Sequence, residues 1–257
     1  MSYIDAIILG LIQGLTEFLP VSSSGHLVLI EHLLHAKIPG VTFELMVHFG
    51  TLMSVLIYFR KRIIQLVRSL FVSGMERERM MVLYLITGTI PAVIFALLFR
   101  DLIEHAFSSP LMSSVFLVVT GLILLSTTMH KNGNKNIDIF GSLIIGLGQA
   151  LAILPGISRS GTTISAGLLS GIKPVAAAEF SFLLSIPAIA GAIIFEYKEY
   201  SSINLDSIGQ YAIGTILAFL SGLIAVYLLL DLIKKGKFKY FGYYCLLAGA
   251  LGIYHFI

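Results

Sequence analysis

Apolar positions dominate this chain in long runs. They cover Phe43–Phe59, Val82–Phe99, Leu111–Met129, Ala176–Phe195, Tyr211–Leu230 and Phe241–Ile257. Each is near the ~20 residues that carry a helix across a bilayer core. Two other apolar stretches break early. Ile4–Leu19 runs into "PVSSSGH", and the run from Ile144 runs into "PGISRSG". The helices before and after the first break span about 24 and 18 Å at ~1.5 Å per residue, short of a ~30 Å core. The pattern predicts helical hairpins or broken helices there, and crossing helices elsewhere.

Composition agrees. Only 12% of the 257 residues are charged and 57% are hydrophobic, against about 25% charged in soluble domains. The chain reads as an all-α integral membrane protein with no soluble domain and no nucleic-acid surface. Its N-terminus does not read as a cleavable signal, because its apolar run lacks a preceding Lys or Arg and contains Asp5, Gln13 and Glu17. The single cysteine, Cys245, implies no redox chemistry.

The two broken elements resemble each other in order. Gly10, Gln13, Ser22, Ser24 and Gly25 match Gly146, Gln149, Ser158, Ser160 and Gly161, and Pro20 matches Pro155 across a one-residue gap. Further on, Glu44 matches Glu179, and "GTIPA" at Gly88 echoes "GTILA" at Gly214. The repeat halves are therefore about 1–136 and 137–257 of a single membrane domain. If both breaks are hairpins, thirteen of the seventeen Lys and Arg fall on one side, in loops 60–79, 129–138, 172–175 and 232–240. Lys37, Arg100 and Lys198 fall on the other. If both breaks are single crossings, the bias vanishes. The positive-inside rule favours two inverted repeats, each a re-entrant helical hairpin plus three transmembrane helices. The tips then meet near mid-bilayer, with both termini outside.

Irregular backbone at membrane depth needs protein or a water-filled cavity around it, so the tips are expected to line a cavity. Two helix N-termini converging there make an anion site. Arg159 is the only Lys or Arg away from the loops and their margins. It reads as an anion clamp, or otherwise as an ion pair with Glu17 or Glu179. Glu17 suits a general base or a cation ligand. Gln13 shares its helix face and either ligates a cation or buttresses Glu17. Ser22, Ser23 and Ser24 are capping candidates, and one of them could be a nucleophile activated by His26 or Glu17. The remaining histidines read as packing or boundary residues, except that His48, inside a crossing, is left open. Glu44 and Glu179 read as hairpin supports. Arg60–Arg62 and Lys234–Lys239 read as topology anchors.

With these residues in hand the chain resembles the bacterial undecaprenyl-diphosphate phosphatases, or bacitracin-resistance proteins. The resemblance covers nearly the whole chain. It rests on Gln13 and Glu17 followed by "FLPVSSSGH", and on "PGISRSGTT" at Pro155–Thr163. It implies removal of the terminal phosphate of undecaprenyl diphosphate, which recycles the carrier for peptidoglycan and other envelope polymers and confers bacitracin resistance. It implies Mg²⁺ or Ca²⁺ dependence, with Glu17 and, less firmly, Gln13 as metal ligands. It implies Glu17, Ser23, His26 and Arg159 as catalytic residues. Ser22, Ser24, Gly25, Ser158, Arg159, Ser160, Gly161 and Thr163 would hold the phosphates. Ser23 and His26 both remain as the attacking group. The implied setting is the bacterial inner membrane, multi-pass, with a site open to the outer face, a lipid substrate, and room for a homodimer. The other class compatible with this architecture is a secondary transporter or lipid-carrier flippase. The second large lipid-phosphatase superfamily is excluded by the lack of its R-x5-H-x3-D spacing.

Overall fold

The computed structural model describes residues 1–34, 41–129, 133–195 and 207–257. His35, Lys37, His130, Lys131 and Lys198 lie outside them. Among the described residues the chain folds into twelve α-helices and no strands. They are α1 (Tyr3–Phe18), α2 (Ser23–Leu34), α3 (Val41–Tyr58), α4 (Arg60–Ser69), α5 (Glu76–Leu98), α6 (Arg100–Phe107), α7 (Pro110–Ser126), α8 (Ile139–Leu151), α9 (Arg159–Leu169), α10 (Pro174–Phe195), α11 (Ile208–Lys234) and α12 (Lys239–Phe256).

Local chemistry sets several of these boundaries. Ser2 and Asp5 form a reciprocal capping box at α1. Ser109 caps α7, with Pro110 in the first turn where its missing N–H costs nothing. Asp138 caps α8 through the Gly141 N–H. Pro91 and Pro187 sit inside α5 and α10, which membrane helices tolerate when neighbours satisfy the released carbonyls.

Among the described residues four helices are long and apolar enough to cross a membrane: α5, the α7 segment to Met129, α10 and α11. The apolar helix α3 is followed by α4 at a 76° bend, and the two count as a fifth span only when taken together. The run Phe241–Ile257 was expected to cross as well. It forms α12, but that helix is not among the candidate spans, its glycines and tyrosines diluting its hydropathy. The 60–79 loop also differs from expectation, since its first half is the helix α4. Arg62 is more than a topology anchor. Its Nε donates to Glu179 Oε1 at 2.9 Å, and Nη1 lies 3.8 Å from Glu78 Oε1, tying α4 to α10 and α5. Glu179 thus braces α4.

The two broken elements exchange neighbours. α1 packs along α11, and α8 packs along α5. Backbones approach closely at each crossing. A Cβ on Gly10 would strike Gly214, and one on Gly146 would strike Gly88. α7 packs on α12, where Gly121 and Gly242 meet. The largest core cluster lies under the first tip. Phe18 and Phe182 pack edge to face at 5.8 Å, surrounded by Val55, Ile164, Ala225 and Leu229.

Candidate active site

The first tip is the turn between α1 and α2, and the second is the turn between α8 and α9. Each ends in a serine that caps the next helix. Ser22 Oγ accepts from the Gly25 N–H at 3.2 Å, and Ser158 Oγ accepts from the Gly161 N–H at 3.1 Å. A second hydroxyl lies beside each cap. Ser24 Oγ is 3.4 Å from Ser22 Oγ, and Ser160 Oγ is 3.3 Å from Ser158 Oγ.

The tips touch directly. Ser22 Oγ also accepts from the Gly156 N–H at 3.1 Å, and Ser160 Oγ donates to the Leu19 carbonyl at 3.1 Å. A Cβ on Gly25 would meet Gly156 backbone, and one on Gly161 would approach Pro20. Gly156 has φ +97°, a conformation that glycine adopts without steric cost. Ser22 holds φ +67° despite its side chain, a strain of about 1 kcal/mol or more offset by its two accepted hydrogen bonds. Thr120 of α7 secures the second tip, donating to the Gly156 carbonyl at 2.8 Å and accepting from the Ser158 N–H at 3.0 Å.

Glu17 sits at the junction, 8% exposed. Its two oxygens are addressed from different tips. Ser23 Oγ donates to Oε2 at 2.6 Å, and Arg159 Nη2 donates to Oε1 at 2.7 Å. Gln13 Nε2 donates to Oε2 at 3.0 Å, one turn back on α1. His48 Nε2 lies 3.8 Å from Oε2. Of the two sequence readings of Arg159, the ion pair with Glu17 is the one present. It leaves Nη1 buried and without a partner, so part of the guanidinium fork remains available to an anion.

His26 does not reach Ser23 by hydrogen bond. Its Nδ1 is 2.7 Å from the Ser22 carbonyl, and its Nε2 is 2.7 Å from Tyr244 Oη of α12. The two rings lie nearly parallel, 5.6 Å apart. A carbonyl only accepts, so Nδ1 carries a hydrogen. In the neutral ring Nε2 then accepts from the phenol. The hydroxyl partner of Ser23 is therefore Glu17, not His26.

The expected phosphate-binding residues divide by orientation. Ser23, Ser24 and Arg159 are partly exposed. Ser22, Ser158, Ser160 and Thr163 are buried and use their hydroxyls internally. Thr163 Oγ1 lies 2.6 Å from Ser181 Oγ and donates to the Arg159 carbonyl at 2.7 Å. Gly25 and Gly161 are buried at the tip contact. Two clefts, one of about 470 Å³ among α4, α5 and α10 and another around Leu97–Leu102, include none of these residues.

Two contributors escaped the sequence reading, Tyr244 and Thr120; both lie on distant helices and carry no local signal. His48, set apart in the sequence as a histidine inside a crossing, lies beside the Glu17 carboxylate.

The junction holds two kinds of hard oxygen that suit a divalent cation. The Glu17 carboxylate is one, and Gln13 Oε1, buried and unpartnered while its Nε2 donates to Glu17, is the other. Among the described residues no three acidic, His or Cys side chains cluster. Mg²⁺ is commonly held by one or two protein carboxylates plus substrate phosphates, and the set fits that mode.

Residues 6–251 match the family described as bacitracin resistance protein BacA. A relative from Syntrophotalea carbinolica, called undecaprenyl-diphosphatase, is 42% identical over 98% of both chains. One of that name from Halothermothrix orenii is 43% identical over 98% of this chain and 97% of its own. Another, from Methanococcus vannielii, is 40% identical over 98% and 99%. With both motif tips joined at Glu17 and the match running almost end to end, this chain belongs to the bacitracin resistance protein BacA family.

Proposed function

We propose that this protein hydrolyses the terminal phosphate of undecaprenyl diphosphate, giving undecaprenyl phosphate and inorganic phosphate. The observation that carries the reading is one carboxylate holding a serine and an arginine from opposed tips, at 2.6 and 2.7 Å. Phosphoryl transfer needs positioning and charge neutralisation above all. Glu17 accepts the Ser23 proton as Oγ attacks the terminal phosphorus. The bond to the bridging oxygen breaks, and the monophosphate lipid leaves. Glu17 gives that proton to the departing phosphate oxygen, then takes another from the water that cleaves the phosphoserine and returns it to Ser23 Oγ. Arg159 neutralises the charge on the transferring group through the open part of its fork. Ser24 and the α2 and α9 N-termini offer further donors. His26, with both ring nitrogens engaged, serves best as a brace of the tip through the Ser22 carbonyl and Tyr244.

Glu17 and Gln13 would hold the divalent cation, Mg²⁺ or Ca²⁺. When bound, it would neutralise phosphate charge and favour the departing anion.

The same reading takes the halves as inverted repeats, hairpin plus three crossings each, in the inner membrane with the site open outward. The exchanged pairs Gly10–Gly214 and Gly146–Gly88, and the reciprocal tip contacts, support it. The test of activity is phosphate release from undecaprenyl diphosphate by purified protein in detergent, where transport has no second compartment. No release with Mg²⁺ or Ca²⁺ present would sink the enzyme reading in favour of a carrier. The test of orientation is labelling of single cysteines in intact cells. Outside reagent should modify position 37 but not 237, and the reverse would refute the inverted-hairpin arrangement.

A further inference from the structure

The cleft of about 470 Å³ is lined by apolar side chains save for one threonine. Ile63, Leu66 and Val67 of α4 and Leu70 just after it line it, with α5 from Val82 to Ile94 and Leu183 and Pro187 of α10. Its one hydroxyl, on Thr89, donates to the Leu85 carbonyl within α5, so the walls offer a ligand no hydrogen bond. Val82 and Ile94 are twelve residues apart, about 18 Å along the helix at ~1.5 Å per residue. That is close to one leaflet of a ~30 Å core.

The helix that closes the cleft is amphipathic. α4 turns 76° away from α3, as a helix lying in the membrane surface must. Ile63, Leu66, Val67 and Leu70 share the cleft face at helical spacing. Lys61, Gln65 and Arg68 share the opposite face and are exposed. α4 holds no acidic residue. Three nearby cations already make contacts: Arg60 Nη1 donates to the Ile57 carbonyl at 2.9 Å, leaving the rest of its guanidinium exposed, Arg62 pairs with Glu179 and Glu78, and Arg79 donates to the Ser69 and Val72 carbonyls at 3.2 Å, closing the end of α4. Arg60, Lys61, Arg68 and Arg77 remain exposed around the helix.

We propose that α4 and the cleft beneath it form a binding site for an anionic phospholipid, one acyl chain in the cleft and the phosphate among Arg60, Lys61, Arg68 and Arg77. Apolar burial plus cationic contact at the headgroup level is how interfacial helices engage anionic leaflets. A second copy of the chain is a poor occupant. A two-fold contact here would set the same cations against themselves. This site is separate from the phosphatase reading and does not depend on it.

The test uses the whole protein in nanodiscs of equimolar phosphatidylglycerol and phosphatidylcholine, with retained lipid counted by native mass spectrometry after mild detergent exchange. The native protein should keep phosphatidylglycerol in preference, by about fivefold for each engaged cation. The triple variant Arg60→Gln, Lys61→Gln, Arg68→Gln should lose that preference while keeping its elution volume and helicity. Ile90→Trp, which fills the cleft from a half-exposed position, should lose the retained lipid of either kind. An unchanged preference in the triple variant overturns the proposal. So does an Ile90→Trp protein that keeps its lipid, or one that turns from dimer to monomer, which would make the cleft an interface between copies.

Discussion

The two tips are the same device with different cargo. Each has a serine cap, a second serine beside it and a glycine packed against the opposite tip. They differ at the residue after the cap, Ser23 in one and Arg159 in the other. They differ again in the preceding helix, where Glu17 has no acidic counterpart between Gln149 and Pro155. Ser23 and Arg159 then take separate oxygens of that single carboxylate. The shared caps and glycines hold the tips together, and the unshared Ser23, Arg159 and Glu17 meet one another at the junction.

The strongest way to break that comparison is to remove the hydroxyl that one tip alone carries after its cap. Ser23→Ala should abolish hydrolysis, with kcat falling about 10³-fold or more. Binding of a non-hydrolysable diphosphate analogue should stay within a few-fold, because the lost interaction belongs to the chemical step. Retention of a tenth of the native kcat would remove Ser23 as nucleophile and return attention to His26.

Arg159→Lys comes next. It keeps the charge opposite buried Glu17, so the pair is not left uncompensated. It loses the planar fork whose buried Nη1 has no hydrogen-bond partner. Turnover should fall about 10²-fold, the scale of removing one positioned donor, with little change in melting temperature. Near-native turnover would make Arg159 a plain counter-charge to Glu17.

Much of this frame was readable in the chain. Breaks at Pro20 and Pro155 interrupt apolar runs, and the matched serines and glycines imply that the tips are equivalent. Other features were hidden for physical reasons. Arg60–Arg68 reads as a charged loop when charge is counted, although Ile63, Leu66, Val67 and Leu70 fall at helical spacing. His48 reads as one polar residue in a span, because its rotation relative to Glu17 depends on how α3 packs. Tyr244 lies 218 residues from His26, and no local pattern joins them. The inward turn of Ser160 and Thr163 also follows from packing, since Leu19 and Ser181 supply their partners.

Tyr244→Phe sharpens the comparison at the first tip, which alone is braced by a histidine. The ring stays stacked on His26 while the hydrogen bond goes. A net hydrogen-bond loss of this kind costs about fivefold in rate if the brace orients the tip. Tyr244→Ala, losing the stack too, should cost more in both turnover and thermal stability. If the phenylalanine and alanine variants behave alike in turnover, stacking rather than the hydroxyl holds His26.

The smallest effects belong to the caps, and they test whether the shared frame is truly equivalent. Ser158→Ala removes one accepted N–H, from Gly161, and should cost about 1 kcal/mol. Ser22→Ala removes two, from Gly25 and Gly156. It also leaves an alanine at φ +67°, where serine already sits under strain. The Gly156 N–H it abandons is buried at the tip contact, and an unmet buried donor costs ~1–3 kcal/mol. Ser22→Ala should therefore lower the melting temperature more than Ser158→Ala. Ser22→Gly should fall between them, because glycine relieves the strain without restoring either bond. Purified variants compared by thermal unfolding in one detergent give the order directly. If Ser22→Ala and Ser158→Ala melt together, the Gly156 contact contributes nothing and the tips are held by packing alone.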